Sequence, residues 1–376
     1  MPLPINKLAA IIAGAGSSYV YQNAQAAEWA TKLTEPIPNS YAALYDQLFS
    51  EIGDIITDKA DHFGIQATAT QDAAIKNLVY AAPDLTLINQ DMVTWTKDRG
   101  FAHATDSGTT YIEDVIIQNG GSGYTSAPTV TFSAPTGAGP VTATGTAVIS
   151  GGSVVSVTIT NPGAGYAYGG TAGVPTVSFS GGGGSGAVAA PRVHMGRIYT
   201  GIKPGDVGIK LSQNDISVGV GSTQFLGTRG ACVGNGLANA VGGTSASRCS
   251  LGSAIGKWQG GTLSGTSDIG VYSTADTGHY VFSRNNGSNF DRYFNGGKLS
   301  SPSSTSAANS TYEFVLLSRR LNDTWTSLST HAWSWIGKAL TDAEALRMYY
   351  AINRFLSALG VESPAVVPFS TSMTVS

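Results

Sequence analysis

The sequence predicts a mainly β fold with helices toward its two ends. Short runs of alternating apolar and polar residues, separated by turn signals such as Asn286-Gly287 and Asn295-Gly296, fill the chain from about residue 85 to about 335. A glycine-rich stretch within that region repeats itself, and helical periodicity is confined to the first eighty residues and to one segment near the C-terminus. Composition sets the limits. The chain has 376 residues, 48 of them Gly, 12% charged residues and a net charge of −3, against about 25% charged and about 7% Gly in an average domain. Its surface is therefore Ser, Thr, Asn and backbone. No basic run offers a footprint for nucleic acid or an anionic membrane. With 42% hydrophobic residues, 6 Trp, 16 Tyr and 12 Phe, the chain can bury a core.

From the N-terminus, Leu8 to Gly14 is too short for the roughly 18 residues of a membrane span. It makes a weak signal peptide, and the chain reads as unprocessed. A first helix is expected over Tyr19 to Leu33. A second has Ser40 as N-cap and a stripe of Tyr41, Leu44, Tyr45, Leu48, Phe49, Ile52, Ile55 and Ile56. A third follows Thr70 as N-cap and carries Ala74, Ile75, Leu78 and Val79 toward Tyr80. After Pro83 the pattern turns extended, with Leu85, Leu87, Val93 and Trp95. Further strands are expected at Asp206–Leu211, Ile216–Val220, Ile269–Tyr272, His279–Ser283, Phe290–Phe294 and Glu313–Leu317, with another turn at Asn322-Asp323. Trp333 and Trp335 share a strand face and read as core. Thr341 and Glu344 form a capping box for a helix over 342–359 that ends at Gly360. The tail from Val361 to Ser376 reads as apolar and extended, either dangling or adding a strand to the edge of a partner's sheet.

The repeat lies within residues 115–190. Val115–Asn119, Gly-Gly-Ser-Gly-Tyr124 and Ala-Pro-Thr-Val-Thr-Phe-Ser133 recur as Val157–Asn161, Pro-Gly-Ala-Gly-Tyr166 and Val-Pro-Thr-Val-Ser-Phe-Ser180. The offset is 42 at the Asn and 47 at the Pro. A duplicated unit of short strands buries little by itself, so its stability must come from pairing or from neighbours.

Chemistry is sparse. Glu113 and Asp114 are consecutive and would point to opposite faces of a strand, and Glu313 has no carboxylate nearby in sequence, so the paired acids of a glycosidase are not found. The five His residues show no HExxH or paired spacing, and Cys232 and Cys249 lack zinc spacing; they are two buried thiols or one bridge. No catalytic residue, metal site or cofactor is assigned. What remains is binding. Aromatic, amide and charged residues near expected loops suggest a glycan-contacting set of Trp258, Tyr272, Asp276, His279, Arg284, Asn286, Asp291 and Arg292. The same residues also suit ordinary hairpin turns.

Trp95-Thr-Lys-Asp98-Arg99-Gly100-Phe101, Ser107-Gly108-Thr-Thr-Tyr111-Ile112 and Thr200-Gly201-Ile-Lys-Pro204 resemble motifs of bacteriophage virion proteins, and Gly337-Lys-Ala-Leu340-Thr-Asp-Ala-Glu344 resembles the closing helix of that family. The repeat is similar to Gly-Ser-Gly-Tyr repeats of phage fibres and adhesins. The resemblance implies a lectin-like, concanavalin A or laminin G type, jelly-roll sandwich at 85–114 plus 191–360. It also implies a helical N-terminal region at 1–84, an inserted β-repeat domain at 115–190 and a C-terminal tail at 361–376. It implies a non-enzymatic virion component assembled in the host cytoplasm: a tail or head fibre or adhesin, a homotrimer, attached to other virion proteins through its N-terminal helices and tail, with host-surface glycan as a possible contact. A capsid decoration protein and an extracellular lectin or glycosidase-like protein are the alternatives.

Overall fold

The computed structural model describes residues 19–103, 110–137, 139–166, 175–222, 233–234, 249–254, 257–262, 278–301, 303, 312–317 and 330–361. It starts with α1 (Ala24–Ala30), where the Asn23 side chain accepts the N–H groups of Gln25 and Ala26. The long helix α2 (Asn39–Lys59) begins one residue before the expected Ser40 cap, after Pro38, which makes no side-chain cap bond. A strand that the sequence did not announce, β1 (Ala60–Ile65), follows directly and is buried along its whole length. The helix capped by Thr70 does form, but α3 (Gln71–Ile75) stops after five residues. Tertiary hydrogen bonds end it. Buried Asn77 accepts the Phe63 N–H, and the Leu78 N–H bonds to the Phe63 carbonyl.

The strands then run β2 (Thr86–Ile88), β3 (Val93–Thr96), β4 (Gly100–His103), β5 (Ile112–Ser122), β6 (Thr129–Phe132), β7 (Thr144–Ser150), β8 (Ser153–Asn161), β9 (Val177–Ser180) and β10 (Ser185–Val193). After them come β11 (Arg197–Tyr199), β12 (Ile216–Ser222), β13 (Val233–Gly234), β14 (Cys249–Ala254), β15 (Lys257–Thr262), β16 (Gly278–Arg284), β17 (Asp291–Phe294), β18 (Gly297–Ser300), β19 (Val315–Leu316) and β20 (His331–Gly337). The chain closes with α4 (Asp342–Ala358), whose Thr341–Glu344 capping box is present as expected. Asp206–Leu211 is not a strand. Gly205 and Gly208 adopt positive φ there, and the Lys210 and Leu211 N–H groups are held by the buried Asp61 carboxylate. The expected strand at Ile269–Tyr272, the turn at Asn322-Asp323 and the tail beyond Val361 lie outside the described residues, as does Cys232.

Two antiparallel sheets pack face to face as a sandwich. One has the order β18-β17-β16-β12-β20-β4-β3, with β1 also paired to β20; the other has the order β15-β14-β13-β19-β11-β2. Phe101, Ile198, Val218, Phe282, Phe314, Leu316 and Ile336 fill the space between them. The opposite face of the first sheet is covered by α1, α2 and α4, which makes it a middle layer. Its two faces are written in β12 and β20. Ile216, Val218 and Val220 alternate with Ser217, Gly219 and Gly221, and a side chain at Gly221 would stand 1.8 Å from the Trp333 indole nitrogen. The small residues therefore admit Trp333 and Trp335 from β20 under the helices, and Trp335 Nε1 donates to Ser217 Oγ at 2.7 Å. Gly100, the first residue of β4, has φ near +101° and lies against the His331 carbonyl, so no other residue fits.

Strands β5 to β10 form a separate module. The order β8-β7-β6-β9 makes one sheet and β10-β5 a second. The first repeat copy supplies β5, β6 and β7, and the second supplies β8, β9 and β10. The copies exchange strands: β5 pairs with β10, β7 with β8 and β6 with β9. Thr131 and Ser178, equivalent in the repeat, lie directly opposite each other, which is the mark of a local two-fold axis. The outer pairs follow the same symmetry. Ile116↔Ala190 corresponds to Thr158↔Thr146, and Asp114↔Arg192 to Ser156↔Val148. Bulges at Glu113 and Gln118 correspond to bulges at Val155 and Thr160. Each small core is built from both copies, one holding Phe132 with Tyr166 and the other Phe179 with Tyr124. This is how units too short to bury a core alone become stable.

The axis is testable. A Thr131→Cys/Ser178→Cys variant should oxidise to an intramolecular disulfide in the monomer, because facing residues of paired strands bring their Cβ atoms within about 5.5 Å. Non-reducing mass mapping that finds no such link would contradict the exchanged pairing.

Candidate functional site

The structure disperses the expected glycan set. His279 and Arg284 are buried in the middle sheet, a correction to their expected loop exposure, because helices cover one face of β16 and the second sheet covers the other. The His279 ring packs 5.4 Å from Trp333 and 5.1 Å from Tyr349, beside a cavity of about 10 Å³ under α4. Arg284 donates to the Asn286 carbonyl at 3.2 Å and lies 5.6 Å from the Phe290 ring. Arg292 is buried opposite Phe282. Asn286 is exposed, but its side-chain oxygen accepts the N–H groups of Ser288 and Asn289 and holds a turn. Asp291 accepts from Ser301 Oγ and from Lys298, which also bonds Asp342 at the start of α4. Trp258 is placed on β15 opposite Ser253, with its side chain outside the described set. Tyr272 and Asp276 are outside it altogether. Among the members whose side chains are described, only Asn286 is exposed, and its Nδ2 also donates to Asn285 Oδ1 at 2.8 Å.

Two other features draw attention. The first is the root of the repeat module, where the bulge at Glu113 undoes the expected opposition of Glu113 and Asp114. Arg192 Nη2 lies 2.5 Å from Asp114 and 3.6 Å from Glu113, and Arg192 also bonds the Tyr199 hydroxyl. Asn89 donates to Glu113 at 3.1 Å. Outside this root, Tyr111 stacks on His194, which reaches Asp91 at 3.2 Å. The arrangement ties β5 and β10 to the sandwich, with Ile116 and Ala190 packed against Val315, Tyr199 and Tyr312. Among the described residues no three His, Cys, Asp or Glu side chains gather as metal ligands.

The second is the outer face of the sheet β8-β7-β6-β9. Thr158, Thr146, Thr129 and Ser180 stand in one row across its four strands, each exposed. Thr131 and Ser178 form part of the next row, where Thr144 and Thr160 bond through their hydroxyls at 2.8 Å. Val148 and Val155 are the exposed apolar residues beside them. Apolar Val130, Phe132, Val177 and Phe179 alternate with this face and turn inward. No carboxylate, ammonium, guanidinium or imidazole occurs from Val115 to Pro191. That gap in charge was readable in the sequence and marks the face better than any motif does.

No protein-family model matches the chain, and no curated protein matches it. Among solved structures it is similar to a Trypanosoma rangeli sialidase in complex with sialic acid, at 10% identity and a TM-score of 0.39, over 84% of this chain and 39% of that one. The binding domain of Paraclostridial Mosquitocidal Protein 1 gives 14% identity and a TM-score of 0.28 over 43% of each chain. The Ruminococcus gnavus IT-sialidase CBM40 gives 12% and 0.26 over 36% of this chain and 82% of that one. The chain spans less than half the length of the sialidase and toxin chains. With TM-scores below 0.5, these likenesses carry no argument about function.

The buried histidines set an acid limit on the fold. Burial pushes His62, His279 and His331 each down to about 3 from 6.5, with the Lys32 charge adding to the effect at His62. Their folded pKa lies below the unfolded value, so the unfolded chain binds more protons between the two. Stability from their neutral burial is complete above about pH 6.5 and declines as pH falls, by up to roughly 1.4 kcal/mol per pH unit for each group. Urea denaturation should therefore show a lower midpoint at pH 5.0 than at pH 7.5. Equal midpoints would contradict neutral burial of the three rings.

Proposed function

We propose that this chain is a non-enzymatic structural component of a bacteriophage particle, a fibre or adhesin whose repeat module makes the outward contact, with host-surface glycan as its ligand. The observation that supports this reading most is the attachment of the module. Its root faces the sandwich through Arg192, Asp114, Ile116 and Ala190, whereas the four-stranded sheet exposes an uncharged face to solvent. The sandwich and helices then hold the chain in an assembly, and the module is presented from it.

The motifs that resemble phage virion proteins fall on structural positions. Trp95 to Phe101 forms the β3–β4 hairpin against β20, and Gly337 to Glu344 leads from β20 into α4. They belong to the holding part of the molecule. In the same reading, copies associate as a homotrimer and meet other virion proteins through the N-terminal helices and the C-terminal tail.

Mass spectrometry of gradient-purified particles tests the reading. A few copies per particle are expected, and antibodies raised against the repeat module should block adsorption to the host. Absence of the chain from purified particles would overturn the reading. Copies in numbers matching the whole head lattice would point to a decoration protein instead.

A further inference from the structure

Resting on that reading, we propose that the outer face of the module is a docking surface for a neutral, polyhydroxylated polymer, an uncharged polysaccharide, seated across the four strands. The local two-fold axis provides an internal comparison for this face. At equivalent positions of one backbone, the docked side carries Asp114, Ile116, Ala190 and Arg192, and the free side carries Ser156, Thr158, Thr146 and Val148. The docked set has an ion pair and apolar contacts suited to the sandwich. The free set has lost both the acid and the base, and gained hydroxyls.

The chemistry of the free side decides among ligand classes. An anionic polymer would require Lys or Arg, and none exists between Val115 and Pro191. A protein partner would call for a buried aromatic or Arg anchor, whereas the rows hold Thr and Ser with a few Val methyls. Each hydroxyl can donate and accept and can rotate to suit, which matches a surface of sugar hydroxyls. The row Thr158–Thr146–Thr129–Ser180 crosses four strands, about 14 Å at the usual strand spacing. A neutral chain laid along that row meets one hydroxyl per strand. Such contacts are individually weak and add along a polymer or over several copies of the chain. The charge-free surface also fits this use: neutral surfaces invite association unless they are reserved for it.

The test uses the full-length protein on an array of neutral and acidic glycans. Binding to neutral oligosaccharides is expected. The variant Thr146→Val/Thr158→Val, which keeps side-chain shape and removes two hydroxyls, should weaken it about tenfold or more, and Thr146→Ser/Thr158→Ser should retain it. Circular dichroism confirms that each variant is folded. The Thr146→Lys/Thr158→Lys variant offers a second check and should also abolish neutral binding. No neutral binding, binding to acidic glycans alone, or neutral binding untouched by both the Val and Lys variants would overturn the proposal. Particle composition decides the adhesin reading separately: a chain found in particles but silent on neutral glycans would sink this inference and leave that reading standing.

Discussion

The antiparallel pair β5–β10 is the constraint on which the rest of the arrangement depends. Its register, from Ile112↔Val193 to Ser122↔Ser185, brings the two ends of the inserted segment together. One face of the pair supplies Val115, Ile117 and Val193 to the module's two small cores. The other face packs Ile116 and Ala190 on the sandwich and adds the Arg192–Asp114 bond. Loss of this pairing would expose apolar surface on both sides at once. The entry and exit strands of the module therefore also act as the bond between the two copies, since β5 belongs to the first and β10 to the second.

The exchange of strands explains how so glycine-rich a segment stays folded. Neither copy contains a complete core: Tyr124 needs Phe179, and Tyr166 needs Phe132, each from the other copy. The positive φ of Gly121 and Gly163, each following an Asn whose side chain accepts the Gly N–H, makes the same turn twice. Symmetry in the backbone then leaves side chains free to differ. On the root side they became Asp, Arg, Ile and Ala; on the open side they became Ser, Thr and Val.

Local signals were readable in the sequence, and long-range ones were not. The Thr341–Glu344 capping box and the Trp333/Trp335 face depend on neighbours a few residues away, and both appear as expected. Strand β1 escaped because Ala-Asp-His-Phe-Gly-Ile is buried on both faces and shows no alternation. The burial of His279 and Arg284 is hidden from the sequence for the same reason. Nothing in their local sequence indicates that helices cover the second face of their sheet. The duplication itself was visible, yet its consequence, that each copy lends a strand to the other, follows from pairing partners tens of residues apart. The uncharged span between Asp114 and Arg192 was equally visible and became informative only when the open face was located.

In this account the sandwich and helices hold the chain and the module makes the contact. Because Ile112 and Val193 are already paired, residues 113–192 can be replaced by a short Gly-Ser turn joining them. The most direct measurement is host adsorption by particles carrying this shortened chain. The shortened chain is expected to be incorporated in particles in normal amount while adsorption falls. Full adsorption by such particles would contradict it.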